Sequence, residues 1–542
     1  MTNYMRTNAW NDGGTFNNAD LLWYAKGVGK MMGRSLNDPA SWWFFAAIHG
    51  ELVNPDTAEY QAAPAFIRWG SINNPPSVPT TPLPVQATQD KFWNQCQHGS
   101  WYFLPWHRGY LLALEAQLRA DIVSLGGPNT WALPYWDYFG GSQPAEALMP
   151  PAFGATTLLD GTPNPLYVAM RYGPDNNGNI YIPTEAWEGT HNQDLNWQQF
   201  GDVTDTCLQN DIYTGSDTAT PLPGFGGPES GFSHGGSAHG NIEQNPHDLV
   251  HVYVGGYINS TDFGLMADPD TAALDPIFYL HHCNIDRMWA VWNGAGNTNP
   301  TDLNWLNGPT PQFVMPMPNN EPWVYTPGDV QNLSSLDYTY QDVTAPLKPA
   351  VSLLAHRLFA LGAISAADVV KSLPSKVTQR KPAELFGANA GPVQVSNTGG
   401  TPIEVTLHPD VQKRVVGSFQ QASISTPPDQ LYLKLENVRG TQDATVLRVY
   451  IDLPVHADRD TLRAHYAGSV GLFGLRSASV KNGAHGGAGL TFVLDISRFV
   501  DKLHVKNKLS SGRIKVNLVR SNELPQSTDI EVGRVSIYRQ PY

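Results

Sequence analysis

The chain has 542 residues, 41% of them hydrophobic and 15% charged, with a formal net charge of −14. That length exceeds one ordinary core and predicts two or more domains, and the composition is that of a folded chain rather than a disordered one. The acidic balance, without a long basic run, argues against a nucleic-acid partner, and no stretch is long and apolar enough to suggest a membrane span. The first residues, Met1 to Gly14, carry neither the apolar core nor the cleavage pattern of a secretion signal. Cys96, Cys207 and Cys283 lie far apart, so no disulfide framework is expected and a reducing, cytoplasmic location fits.

Residues 1–340 are rich in Trp, Asn, Pro and Gly, with helical patterns separated by long irregular stretches of the kind that line a site. An aromatic helix-like run covers Trp42 to His49. A long amphipathic helix is expected over Gly109–Leu125, with Leu111, Leu112, Leu114, Leu118 and Ile122 at helical spacing. The Gly-rich segment Pro221–Gly240 reads as a loop. Helices follow over Pro246–Val254, with Asn245 as cap, and over Pro276–Trp292. Residues 345–400 read as a linker between a catalytic region, 1–344, and a β region, 401–542; the linker carries helices at about Pro349–Phe359 and Ala366–Leu373. From Thr401 the texture changes. Gln430–Leu435, Thr445–Leu453, Leu490–Ile496, Arg513–Arg520 and Ile530–Tyr538 alternate or are β-branched, which predicts an antiparallel sandwich or barrel.

The chemistry sits in two histidine clusters. In the later one, His247 and His251 lie four apart on one helical face, a spacing that lets two imidazoles converge on one metal. Beyond it comes Asp275-Pro-Ile-Phe-Tyr-Leu-His281-His282-Cys-Asn-Ile-Asp286-Arg287. Neighbours on a helix point about 100° apart, so one of His281 and His282 is expected to be a ligand and the other a packing neighbour. The earlier cluster is His49, His98 and His107. Two sets of three histidines, all on aromatic helical frames, are hard to attribute to chance, although a lone HxxxH pair often is. Every other histidine reads as an ordinary residue: His191, His234, His239, His281, His356, His408, His456, His465, His485 and His504, with some reserve over His234 and His239, which share the Gly-rich loop. Neutral imidazoles suit zinc, copper, iron and nickel. Without a bridging carboxylate, di-zinc hydrolases and carboxylate di-iron proteins fit poorly. Three histidines leave each copper room for exogenous ligands, so dioxygen could bridge a pair.

These motifs resemble those of type 3 copper proteins of the tyrosinase and catechol oxidase (polyphenol oxidase) family, in its long form with a C-terminal domain. The residues that carry the resemblance are Cys96-Gln-His98, LPWHRGYLLALE around His107, PHDLVH from Pro246 to His251, DPIFYLHHCNIDRMW from Asp275 to Trp289, and Tyr338-Thr-Tyr340. The resemblance implies a mainly α catalytic domain, a four-helix bundle housing two copper ions, followed by an antiparallel β domain. It assigns one copper to His49, His98 and His107 and the other to His247, His251 and His282. It implies a thioether between Cys96 and His98, a water-holding carboxylate at Glu243, and dioxygen as co-substrate in ortho-hydroxylation of monophenols and oxidation of o-diphenols to o-quinones.

One departure concerns Asp248, where efficient tyrosinases often carry Asn. Asp keeps the acceptor but loses the amide donor, and it either serves as a second base or caps its own helix. The loop Met266-Ala-Asp-Pro-Asp-Thr271 holds no aromatic residue of the kind that restricts the first copper in plant enzymes, which favours access for monophenols. In the family the C-terminal domain can cover the copper site. Here the loop Gly471–Gly487 is the candidate lid, with Leu472, Phe473 and Leu475 placed to plug the entrance. Small phenols and catechols are the implied partners; oligomeric state is not legible. The alternatives are a catechol or o-aminophenol oxidase without monophenolase activity, an oxygen carrier and a zinc hydrolase.

Overall fold

The computed structural model describes residues 4–541 except 63–65, 74–76, 141–143, 186, 189–200, 216–221, 223, 237, 260, 320, 345–352, 366–381, 484–485 and 522–528. The helix expected over Ala366–Leu373, and His191 and His485, fall outside the described residues.

Five helices frame the first body: α1 (Ala19–Met32), α2 (Trp42–His49), α3 (Phe103–Ser124), α4 (Asp248–Gly255) and α5 (Ile277–Gly294). The Asn18 side chain accepts the Asp20 and Leu21 amides at the start of α1, and Ser41 accepts that of Phe44 at the start of α2. In α2 every residue is buried, and in α5 every residue from Ile277 to Trp289 is, so both run through the interior rather than over a surface. α3 packs against α1 and α5. It begins at Phe103, a turn and a half ahead of the Gly109 expected, because Pro105 lies in the first turn, where its missing amide costs nothing. His107 is therefore inside the helix rather than at its opening.

The start of α4 also differs from expectation. A single π turn, Glu243–His247, feeds directly into Asp248–Gly255. Asn245 is extended within that turn, and its side chain binds the Thr204 amide and the Asp202 carbonyl instead of capping the helix. Such π turns are frequent at functional sites.

Asp286, on α5, closes this body. It takes Arg108 Nε of α3 at 2.5 Å, Arg6 Nη1 at 3.2 Å and the Tyr338 hydroxyl at 2.6 Å, together with that of Tyr340. The strand Tyr4–Arg6 pairs in parallel with Tyr338–Tyr340, so the Tyr-x-Tyr motif joins the start and the end of the helical body. Burial raises the Asp286 pKa, but Arg108 and Arg6 outweigh it and hold the carboxyl below its usual range.

After the helix α6 (Leu353–Ala360) comes an antiparallel sheet of nine strands: β1 (Glu384–Ala388), β2 (Val393–Gln394), β3 (Gly400–Leu407), β4 (Gln430–Gly440), β5 (Val446–Ile451), β6 (Tyr466–Gly471), β7 (Leu490–Asp495), β8 (Arg513–Arg520) and β9 (Ile530–Gln540). The order is β6-β5-β8-β3-β1-β9-β4-β7, with β2 beside β9, and the end strands β6 and β7 meet again to give a nearly closed barrel. The β region thus begins at Glu384, ahead of the Thr401 boundary expected, because β1 is an inner strand of the sheet. Helices α7 (Pro409–Gln420), α8 (Leu475–Ser479) and α9 (Ser497–Val505) lie between strands.

The barrel docks on the helical body through its end strands β6 and β7 and the neighbouring β5. Asp202 receives Arg448 of β5 at 2.6 Å and the hydroxyls of Tyr466 and Ser469 of β6 at 2.8 and 2.7 Å. The Gln244 amide exchanges two hydrogen bonds, of 3.0 and 2.9 Å, with the Val493 backbone, completing the edge of β7. A Cβ at Gly471 would sit 3.0 Å from the Asp248 carbonyl, so glycine lets β6 approach the start of α4 closely.

Replacing Asp286 by Ala is expected to leave Arg6 and Arg108 buried without their carboxylate and to destabilise the helical body by about 3–5 kcal/mol. A chemical unfolding midpoint close to that of the parent would contradict this role.

Candidate dinuclear metal site

The two histidine clusters meet at the centre of the helical body. His49 ends α2, His98 lies in the loop before α3 and His107 is in the second turn of α3; their ring centroids are 5.3–5.8 Å apart. His247 and His251 come from the π turn and α4, and His282 from α5, with centroids 4.5–5.6 Å apart. His107 stacks on His282 at 4.4 Å and 10°, which joins the two sets.

Most of the rings are anchored from behind. Nδ1 of His49 donates to the Pro269 carbonyl (2.9 Å), that of His107 to Phe103 (2.8 Å) and that of His251 to Met266 (2.9 Å). A carbonyl only accepts, so each Nδ1 carries the proton and each Nε2 presents a lone pair. Nδ1 of His247 bonds the Asp248 carboxylate at 2.9 Å. Burial drives the His49 pKa down to about 3 and lowers those of His98, His107, His247, His251 and His282 as well. All six are neutral at physiological pH, the form in which an imidazole can bind a metal.

This arrangement fits a pair of metal ions. The Nε2 atoms of His49 and His247 are buried without a hydrogen-bond partner, and those of His251 and His282 face each other at 3.4 Å. Buried lone pairs left unmatched are costly unless something positive occupies the space between them. Two groups have ligand atoms within 4.8 Å of one another: His49, Cys96, His98 and His107, and His247, His251, His281 and His282. His281 is also buried in the second group, 5.0 Å from His251 and 5.4 Å from His247, with its other side 5.8 Å from Tyr138. His282 is the one stacked on His107. His234 binds the Cys96 carbonyl at 3.0 Å and belongs to neither group. The Cys96 sulfur lies 3.5 Å from His98 Nδ1 and 3.3 Å from His107 Nε2, and burial raises its pKa well above the usual thiol value.

Glu243 sits on the π turn, fully buried, with both carboxylate oxygens on the Gly99 amide at 2.9 and 3.1 Å. Burial raises its pKa to about 8. Asp248 does not face an open space. One oxygen takes His247 and the other takes His239 Nδ1 at 2.7 Å, so it orients a ligand ring, as carboxylates behind metal-bound imidazoles do. His239 is the residue that sequence reasoning passed over. It is buried, lies 3.8 Å from Glu243, and the attraction of Asp248 and Glu243 outweighs desolvation to raise its pKa to about 9. Its place in the Gly-rich loop near the site was the available signal.

The C-terminal domain closes the cavity. Phe473 stacks on His251 at 4.0 Å and 15° and lies 5.7 Å from His247 and 6.1 Å from His98. Leu472 and Leu475, buried on either side, belong to the same turn. Phe278 and Phe103 form the walls, 4.2 Å from His282 and 4.5 Å from His107; neither was singled out from the sequence, although Phe278 lies within the Asp275–Trp289 motif.

Paired histidine clusters at the heart of a helical body, with an antiparallel barrel docked over them, define a dinuclear metalloprotein of the type 3 copper class. The chain belongs to the tyrosinase family: the model of the common central domain of tyrosinase matches residues 39–295, and a domain of unknown function matches residues 382–540. Tyrosinase HcTyr1 of Hahella sp. (strain CCB-MM4) is 31% identical over 533 residues, 96% of this chain and 97% of that one. The chloroplastic polyphenol oxidase A1 of Vicia faba is 25% identical over 457 residues, 78% of this chain and 66% of the other. Among solved structures, latent apple tyrosinase shares the fold, with a TM-score of 0.56 and 18% identity over 99% of this chain and 97% of that one. Membership makes the protein a copper-dependent oxidoreductase acting on phenols, with a type 3 copper pair and dioxygen as co-substrate.

His239 also sets a pH dependence. Its folded pKa lies above the usual 6.5, so its contribution to stability is complete below pH 6.5 and is lost as pH rises through about 9. In His239→Gln the loss of thermal stability between pH 6.5 and 9.5 is expected to shrink, the two proteins converging at the alkaline end. Parallel pH profiles would contradict the pairing.

Proposed function

We propose that the protein hydroxylates monophenols at the ortho position, oxidises o-diphenols to o-quinones, and is latent while Phe473 covers the site. The observation that carries this reading is the stack of Phe473 on His251, directly over the paired clusters. One copper is assigned to His49, His98 and His107 and the other to His247, His251 and His282. When bound, the pair supplies dioxygen activation and accepts the electrons withdrawn from the phenol.

The chain's own residues do the rest. Phe103 and Phe278 pack against His107 and His282 and give the paired clusters apolar surroundings suited to an aromatic substrate. Glu243, held by the Gly99 amide, is the acceptor for the phenolic proton in its carboxylate form, a form that gains population as pH rises towards its raised pKa of about 8. Asp248 keeps His247 in orientation. His239 stands between the two carboxylates, its Nδ1 on Asp248 at 2.7 Å and its Nε2 3.8 Å from Glu243, and offers an N–H donor on this side of the site. The Met266–Thr271 loop brings no aromatic residue over His49. The obstruction comes from the C-terminal domain instead, and it is removable.

Phe473→Ala is expected to raise turnover of both a monophenol such as tyrosine and a catechol by about tenfold or more, the reciprocal of the fraction of parent molecules that are open. Catechol turnover without any monophenol hydroxylation would favour a catechol oxidase, and preferential turnover of o-aminophenol an aminophenol oxidase. No change in any rate would refute latency through this residue.

We also propose a thioether between Cys96 and His98, supported by the approach of the sulfur to that ring. After copper loading under oxygen, the intact mass is expected to be lighter by two hydrogens, and Cys96→Ser should abolish that difference. Quantitative alkylation of Cys96, a third thiol beside Cys207 and Cys283, in the denatured, copper-loaded protein would contradict it.

A further inference from the structure

The C-terminal domain touches the copper site in a second way. The segment Leu265–Ala272 carries two carbonyls that orient histidines of different clusters: Met266 accepts from His251 and Pro269 accepts from His49, each at 2.9 Å. Asp268 lies between them. One of its oxygens accepts the Asp270 amide at 2.9 Å and so caps the short helix Pro269–Ala272. The other receives Arg476 Nη2 of α8 at 2.7 Å. Arg476 is held from its own domain by Asp443, through Nε and through its backbone amide, both at 2.7 Å, and its guanidinium lies 3.6 Å over the Phe263 ring. All three charged side chains are essentially inaccessible to water.

We propose that Arg476 is a positioning residue for both metal centres, acting across the domain interface through Asp268 on the loop whose carbonyls orient His49 and His251. A buried ion pair of this kind adds little net stability over an apolar pair of the same shape, but it defines geometry sharply, since either charge left unpaired is costly. Groups behind metal-bound imidazoles set ring orientation, and disturbing them weakens metal binding by about 10–100-fold. Phe473, which covers His251, and Arg476, which secures the carbonyl behind it, lie within one turn of the same segment. Displacing the C-terminal domain therefore uncovers the cavity and loosens one ligand of each copper in the same movement. The domain is a support for the metal pair as well as a cover.

The inference rests on His49 and His251 being copper ligands. Its test is an equilibrium competition for copper between the full-length protein and a chelator of known affinity. Arg476→Met is expected to bind both coppers about 10–100-fold more weakly than the parent, and Arg476→Lys to recover part of the loss. Arg448→Met severs another buried interdomain pair, with Asp202. It is expected to lower the melting temperature while keeping copper affinity within about twofold of the parent. Should Arg476→Met fail to fold, Asp268→Asn keeps the acceptor for the Asp270 amide, loses the charge facing Arg476, and carries the same expectation. Parental affinity in the Arg476→Met and Asp268→Asn variants, or an equal loss in Arg448→Met, overturns the inference. A parent that holds fewer than two coppers would sink the assignment of the ligands instead.

Discussion

The structure depends on one constraint: six neutral imidazoles must point their lone pairs into a space from which water is excluded. Four of the six rings have a hydrogen-bonding group behind them that fixes their orientation. Backbone carbonyls do this for His49, His107 and His251, and a carboxylate does it for His247. The carbonyls come from places that can be held firmly: the first turn of α3 and a short capped segment pinned by Asp268. The long loops of the helical body thus have a physical reason. They carry the groups behind His49 and His251, while α3 and α4 supply those behind His107 and His247.

The second layer is ionic and buried. Asp286 with Arg6 and Arg108, Asp202 with Arg448, and Asp268 with Arg476 and Asp443 are spaced around the site, each joining elements distant in sequence. Two of the three cross the domain boundary. Charges sealed in this way tolerate little displacement, and of the three only the Asp268 pair lies on the segment whose carbonyls hold histidine rings. The same interface places an apolar ring, Phe473, against His251. Cover and support share one short segment, so exposing the site and relaxing it are linked.

Much of this was legible in the sequence, for identifiable reasons. The HxxxH spacing at His247 and His251, the apolar periodicity of α3 and the β-branched alternation of β8 are local patterns, and the structure keeps them. The boundaries that moved did so through proline. Pro105 fits inside the first turn of α3, and Pro246 sits within a π turn that continues into α4 rather than starting it. Strands β1 and β6 were missed because β1 is short and β6 carries two glycines, which weaken any strand signal, and β3, though alternating, carries Pro402. The partners of Asp286 and Asp268, the role of His239 and the walls at Phe103 and Phe278 are contacts between distant segments, set by tertiary packing rather than by local pattern. The sequence offers Asp248 as a base or a helix cap; its bonds to His239 and His247 are contacts that no local pattern displays.

The central claim is a coupled pair of copper ions held by these six rings. Electron paramagnetic resonance of the fully loaded, oxidised protein, set against its total copper, tests it most directly. Two coppers per chain with almost no resonance signal is the predicted result, because two cupric ions bridged at this distance couple their unpaired spins. One copper per chain, or a full-intensity signal from isolated cupric ions, would contradict it.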